Sequence, residues 1–273
     1  MNNFLGEIIK LKKKRLAIAK EKISLENLKR KAFAVRENSE SHRLQTVLMR
    51  NDKVNIIAEI KRASPSKGVI NDKINVAEIA KSYEKGGACA ISVLTEEDKF
   101  QGSLEDLKAS KSAVEIPVLR KDFIFDEFQI YEAAEIGADV ILLIAAMLDD
   151  EVLTKLHRLA ERDLGLDVLV EVHTLEELER IKRTDAKIVG INNRDLHSFK
   201  VSLDVSRRLI KHALEDALMI AESGLQTRDD LLELTDLGFS GFLIGETLMR
   251  SENINEELRQ LTANKHDLTQ NFS

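Results

Sequence analysis

From Val54 onward, short apolar runs alternate with stretches of helical period. The apolar runs are "VNIIAEI", "ACAISVLT", "IPVLRKD", "DVILLIA", "DVLVEVH", "KIVGINN", "ALMIAESG" and "GFLIG". Each is apolar through its middle rather than alternating, which is the pattern of a strand buried on both faces in a parallel sheet. Between them lie "VAEIAKSYEKGG", "DEFQIYEAAEIGA", "LEELERIKR" and "RDDLLELTDLGF". These carry helical spacing, and several have Gly just past the last turn, where helices favour it. Eight such strands alternating with helices predict an α/β fold, a parallel sheet closed into a single (β/α)8 TIM barrel. A doubly wound open sheet is the competing architecture. It normally needs fewer strands, and the nucleotide fingerprint G-x-G-x-x-G is absent.

The chain ahead of Val54 has a different texture. "FLGEIIKLKKKRLAIAKEKISLENLKRKAFAV" is rich in Lys and in Leu and Ile at roughly helical spacing. It predicts one or two amphipathic helices that dock on the barrel and keep their lysine heads in water. A basic surface for a partner or an anionic lipid is the sharper reading of the same lysines. We therefore expect an N-terminal helical extension over residues 1–45, a catalytic barrel over 46–265 and a polar tail over 266–273. The stretch after Leu261, "TANKHDLTQNFS", is expected to fray. The chain ends shortly after one barrel, so no fused second enzyme is expected.

Composition narrows the function classes. The 273 residues are 43% hydrophobic and 32% charged, enough for a sizeable core and unlike a disordered chain. A net charge of −6 argues against general nucleic-acid affinity. The single cysteine, Cys89, excludes an internal disulfide or a cysteine-rich metal site, and its place in "ACAISVL" reads as core packing. No signal peptide or apolar run of about 20 residues is found, so a soluble cytoplasmic protein without membrane partners is expected.

The barrel makes a demand on the polar residues: those of function should stand at the carboxyl ends of the strands. Glu59 and Lys61 end the first strand, Lys121 and Asp122 the third, and Glu171 and His173 the fifth. Asn192, Asn193 and Arg194 end the sixth, Glu222 and Ser223 the seventh. In a closed barrel these positions converge on one mouth, and crowded opposite charges are how a site sets acids and bases apart. The plainer reading of any one of these charges is a structural ion pair. His173 reads as a helix-start or packing residue rather than a catalytic one.

"AESGLQTRDD" and "LIGETLMR" each place a glycine between a strand and a helix. Backbone N–H groups at Gly224, Gly245 and Glu246 would then form an anion cradle after the last two strands, where barrels often hold phosphate.

With these residues in view, the chain resembles the indole-3-glycerol phosphate synthase family of tryptophan biosynthesis. The pieces that carry the resemblance are "IAEIKRASPSKG", "LTEEDKFQGS", "PVLRKDFIFDEFQIYEA", "GADVILLIAA", "LVEVH", "GINNRDL", "AESG" and "LIGETLMR". They occur in the family's order from about residue 54 to residue 250, and Glu-x-Lys followed by Ser-Pro-Ser at a strand end is the most specific of them. Lys99 ahead of Phe100 and Leu225 after Gly224 are conservative departures. The resemblance implies conversion of 1-(o-carboxyphenylamino)-1-deoxyribulose 5-phosphate to indole-3-glycerol phosphate, with loss of carbon dioxide and water.

The resemblance makes Lys121 the general acid for ring closure. Glu171, Lys61 and Glu59 remain open candidates for the acid and base of dehydration. Lys61, Ser64 and Asn192 or Arg194 could receive the benzoate carboxylate, and Phe100, Phe123 and Leu142 could wall its ring. Glu222, Asn192 and Ser223 would bind and orient the rest of the substrate. Proton transfers suffice, so no cofactor or metal is expected.

Pro65 fixes its own φ and restricts Ser64, so the loop that carries them is expected to hold its shape. Phosphoribosylanthranilate isomerase, another phosphate-binding barrel, is rejected because a Cys should end the first strand. A Schiff-base aldolase using Lys121 as nucleophile competes with the synthase reading, as does a catalytically dead scaffold barrel. The expected partner is a small phosphorylated molecule, and both monomer and homodimer remain open.

Overall fold

The computed structural model describes residues 3–50, 52–65, 67–71, 74–251 and 253–263. The last part of the polar tail, including the expected 266–273 segment, lies outside them. Among the described residues eight barrel strands run in chain order: β1 (Ile56–Ile60), β2 (Ala90–Leu94), β3 (Val118–Lys121), β4 (Val140–Ile144), β5 (Asp167–Val172), β6 (Ile188–Asn192), β7 (Leu218–Glu222) and β8 (Gly241–Ile244). Each pairs in parallel with its sequence neighbours, and β1 pairs with β8 to close the barrel. In β1, β2 and β4 every residue is buried, as continuous apolar runs require when one face fills the barrel and the other meets the helices. Cys89 sits in this core, where burial pushes its thiol up to about 12 and leaves it inert.

Among the described residues three helices precede the barrel: α1 (Asn3–Lys22), α2 (Leu25–Arg36) and α3 (Arg43–Leu48). The sequence predicted one or two. The short third helix carries too few residues to show a period, and it runs across the 45/46 boundary. The outer helices are α4 (Val76–Gly86), α5 (Leu104–Ala113), α6 (Glu127–Ile136), α7 (Asp150–Arg158), α8 (Leu175–Ile181), α9 (Asp204–Leu209), α10 (Arg228–Asp236), α11 (Glu246–Arg250) and α12 (Ile254–Thr262). Their starts follow from short polar caps. Asn75, Ser103, Asp149 and Thr174 each accept an N–H of the first turn, and Asp126 with Gln129 forms a reciprocal capping box. Among the described residues no helix is long and apolar enough to cross a membrane.

The stretch after Leu261 does not begin to fray where the sequence placed it. Thr262 is the last residue of α12 and is buried, its carbonyl accepting the Val54 N–H at 3.4 Å. Arg228 holds the next carbonyl, that of Ala263, through two donors. Polar character misled because a hydroxyl can be buried when it bonds back to its own helix, as Thr262 does to Leu258.

The two ends of the barrel use charge differently. At the amino end, α3 lies across the strand starts. Asp167 accepts the N–H groups of Leu44 and Gln45 at 2.6 and 3.2 Å, the work of a cap supplied from another element. Asp139 takes the Val118 N–H, Lys111 and Arg43, and Asn55 donates to the carbonyls of Leu48, Arg50 and Ser240. Leu44 and Leu48 are fully buried there. This end fixes the barrel and leaves the other free for chemistry. Leu44→Ala should therefore cost about 2–5 kcal/mol, read as a lower urea midpoint. An unchanged midpoint would mean that α3 is not part of the cooperative core.

Candidate active site

At the carboxyl end of the strands lies a cavity of about 840 Å³, within the range of small-molecule sites. Glu59, Lys61, Ser64, Phe100, Lys121, Phe123, Leu142, Glu171, Asn192, Arg194, Ser223, Gly224, Gly245 and Glu246 all line it. Of the side chains singled out in the sequence, Glu222 stands behind this lining, fully buried and bonded to Lys121.

Lys121 is the centre of the arrangement. As the last residue of β3 it projects its ammonium among three carboxylates, bonding Glu222 Oε2 and lying 3.6 Å from Glu171 Oε2 and 3.9 Å from Glu59 Oε2. Burial pulls the lysine pKa down, but Glu222, Glu171 and Glu59 outweigh it, so the net shift is upward and the group is held cationic. Glu59 in turn receives Lys61 Nζ at 2.7 Å. Lys61 lies just past the end of β1, so the chain is already turning and both neighbours reach the mouth. Burial opposes ionisation of Glu59, yet Lys61 and Lys121 bring its pKa below the ordinary carboxylate value.

Glu222 goes the other way: burial and the charge of Glu171 prevail over Lys121 and raise it to about 7. Its carboxyl has room because Gly190 faces it from β6; a Cβ there would come within 2.0 Å of Glu222 Oε1.

The neighbouring residues hold this group in place. Asp122, also on the cavity lining, gathers Thr95 Oγ1 at 2.8 Å, Arg120 Nη2 at 3.0 Å and Lys12 of α1 at 2.5 Å. Burial raises its pKa, but Lys12 and Arg120 bring it down to about 2, so it stays a carboxylate. Through Lys12, and through Arg15 to Asp98 and Lys20 to Asp126, α1 is strapped over the mouth. It delivers Phe4 to the cavity wall, edge-on to Phe199 at 5.1 Å and to Phe123 at 6.4 Å.

Glu96, fully buried, accepts the N–H groups of Asp98, Lys99 and Phe100 and so fixes the loop that presents the Phe100 ring. The loop after β1 forms a small hairpin pairing Ala63–Ser64 with Gly68–Val69, and the Ala63 N–H bonds the Phe100 carbonyl. Lys67 from this hairpin lies 3.6 Å from Glu246 across the mouth.

The loops after β7 and β8, where the sequence placed an anion cradle, have a distinctive backbone. Ser223 and Gly224 both have positive φ, +66° and +82°. At Gly224 a side chain would be strained by φ and would strike Val201 at 2.5 Å. Asn193 Nδ2 holds the Ser223 carbonyl at 3.1 Å, so Asn193 serves the loop while Asn192 and Arg194 face the cavity. Gly245 precedes α11, whose first N–H groups have no acceptor within the helix. Thr247 Oγ1 donates to the Leu225 carbonyl at 3.1 Å and ties the two halves together.

His173 stands just ahead of α8, with its ring almost fully buried. Its backbone N–H is bonded by Glu177, in keeping with a place at the start of α8, but its ring lies 3.3 Å from Glu171 Oε1.

The sequence missed Phe4, Leu196, Phe199, Val201 and Leu203, all on the cavity wall. Phe4 could not be told from the packing face of an amphipathic helix. The other four sit in the irregular segment after β6, where no period marks the inward side.

Similarity to solved structures shows the barrel alone. A 3-hexulose-6-phosphate synthase from Salmonella typhimurium aligns with 76% of this chain and 96% of its own at a TM-score of 0.60 and 13% identity. An N-acetylmannosamine-6-phosphate 2-epimerase from Clostridium perfringens covers 77% and 92% at 0.58 and 17% identity. Sequence similarity is far more specific. Indole-3-glycerol phosphate synthase from Legionella pneumophila (strain Paris) is 45% identical over 96% of this chain and 99% of its own. That of Carboxydothermus hydrogenoformans is 44% identical over 95% of this chain and all of its own. The family model described as indole-3-glycerol phosphate synthase matches residues 5–261, from within α1 into the last turn of α12. This chain belongs to the indole-3-glycerol phosphate synthase family.

Proposed function

We propose that this chain catalyses the reaction of its family, the ring closure, decarboxylation and dehydration of 1-(o-carboxyphenylamino)-1-deoxyribulose 5-phosphate to indole-3-glycerol phosphate. It acts as a carbon–carbon lyase of tryptophan biosynthesis. The observation that carries the mechanism is the buried Lys121 ammonium, held cationic by three carboxylates inside the cavity. A cationic lysine is in the protonation state required to give a proton to the ketose oxygen as the aromatic carbon attacks.

The remaining roles follow the chemistry of each wall. Gly224, Gly245 and Glu246 offer backbone N–H groups to the phosphate. Lys61, Ser64 and Asn192 or Arg194 receive the benzoate carboxylate, and Phe100, Phe123 and Leu142, joined by Phe4, cover its ring. Glu222, Asn192 and Ser223 orient the hydroxyls. Glu171, Lys61 and Glu59 share the acid and base work of dehydration. The hairpin carrying Ser64 and Pro65 folds the substrate back on itself, as ring closure demands. The protein is proposed to act in the cytoplasm on this small phosphorylated substrate, with monomer and homodimer both compatible.

The same cluster argues against a Schiff-base aldolase, which needs a neutral amine. Three carboxylates around Lys121 disfavour that form.

Wild-type protein given the carboxyphenylamino deoxyribulose phosphate should develop indole fluorescence and release carbon dioxide in step. A folded protein that yields neither, and that borohydride with a ketose phosphate traps as a Lys121 adduct, would replace the synthase reading with the aldolase one. A second expectation concerns pH. Because the folded pKa of Glu222 is raised from 4.5 to about 7, its stabilising contribution is full below the unfolded value and lost as pH rises through the folded one. Glu222→Gln should therefore flatten the decline of the unfolding midpoint across that window. A variant as pH-sensitive as wild type would place the titration elsewhere.

A further inference from the structure

His173 is left unused by the mechanism above, yet it stands between two carboxylates. Its Nε2 lies 3.3 Å from Glu171 Oε1 and its Nδ1 lies 3.4 Å from Glu177 Oε2, with the imidazole side chain only 8% exposed. On the inner side, Glu171 Oε2 is 3.6 Å from Lys121 Nζ. Lys121, Glu171, His173 and Glu177 thus form one continuous line of titratable groups, from the centre of the mouth to the first turn of α8. Glu177 is anchored at the outer end, accepting the His173 N–H at 2.7 Å and bonding Thr174 Oγ1 through its own N–H. Its side chain is 14% exposed against 4% for that of Glu171, so the line leads outward.

The chemistry of the proposed reaction gives such a line something to do. Ring closure forms a carbon–carbon bond from the electrons of the aromatic ring and places one proton on the ketose oxygen. The carboxylate leaves as carbon dioxide, its bonding pair returns to the ring, and no proton departs with it. Dehydration breaks the carbon–oxygen bond, delivers a second proton to the leaving hydroxyl and releases one proton as the new ring becomes aromatic. Two protons enter and one leaves, so each turnover takes one proton from solvent. That proton must reach a lysine whose cavity is filled by substrate and then by product.

We propose that His173 is a proton relay that recharges Lys121 from solvent, receiving at Nδ1 from the Glu177 side and passing from Nε2 to Glu171. This rests on the synthase reading. An imidazole suits the task because it can accept a proton at one nitrogen while giving one from the other. Both ring nitrogens are buried and stand at ion-pair distance without a formed hydrogen bond, so a small rotation of the ring completes either contact. The charged groups facing the ring are Glu171 on β5, Glu177 on α8 and, further off, Glu222 on β7. Burial lowers the imidazole pKa, but these three outweigh it and hold the value above that of an ordinary histidine. His173 touches no reacting atom; it acts through Glu171 and is a positioning residue.

Steady-state kinetics of wild type, His173→Gln and Glu177→Gln from about pH 6 to about pH 9 test this, with His173→Ala assayed with and without added imidazole. The expected result is KM within about twofold of wild type and kcat lowered about tenfold or more in both glutamine variants. The alkaline fall of the wild-type kcat profile should move or vanish, and imidazole should restore part of the lost kcat in His173→Ala. Wild-type kcat and pH profile in His173→Gln would overturn the relay, as would a loss confined to KM. Both outcomes leave the synthase reading intact, because wild type still forms product. Wild type without product would overturn that reading and the relay with it.

Discussion

The Lys121 ammonium, taken out of water at the end of β3, is tolerable there because Glu222, Glu171 and Glu59 surround it. A buried charge without partners would cost several kcal/mol. Each of the three acids is itself buried beside a cation, so the groups depend on one another. Lys61 supplies the second positive charge, and Gly190 keeps open the space that the Glu222 carboxyl fills. These residues come from five different strands or strand ends, and only a closed barrel brings them within about 4 Å of one ammonium or its partners. The fold is therefore a precondition of the electrostatics, and the electrostatics of the proposed chemistry.

Two supports keep the cluster in place from opposite sides. At the amino end, Asp139, Asp167 and Asn55 hydrogen-bond backbone groups of α3 and the strand starts, and Asp139 also holds the Lys111 and Arg43 side chains. At the carboxyl end, α1 is held across the mouth by Lys12, Arg15 and Lys20. The contact from Lys12 goes to Asp122, the residue next to Lys121. The helical extension is thus part of the site wall as well as of the scaffold, and Phe4 is the side chain through which it enters. The lysines that made this segment look like a surface for anionic partners are in several cases already paired with carboxylates of the barrel.

The barrel was legible because a strand buried on both faces leaves a mark that needs no context, an apolar run of about five residues between turn signals. The polar mouth was legible for the converse reason: Glu59, Lys121, Glu171 and Glu222 each interrupt such a run at its carboxyl end. What stayed hidden has physical causes. Nothing in a sequence shows that Leu196, Phe199, Val201 and Leu203 turn inward from an aperiodic loop, or that Glu222 sits behind the lysine rather than beside it. His173 looked like a helix-start residue and is near one. Its contact with Glu171 depends on which way the ring points once β5 has ended. The short α3 was missed because six residues show too little of a period to read.

The caged Lys121 ammonium is proposed as the acid of ring closure. The most direct measurement is single-turnover product formation by Lys121→Ala beside wild type, with substrate affinity determined separately by equilibrium binding. Substrate should still bind while product formation slows by about 10²–10⁴. Product formed by Lys121→Ala at the wild-type rate would contradict it and move the acid to Lys61 or Glu171.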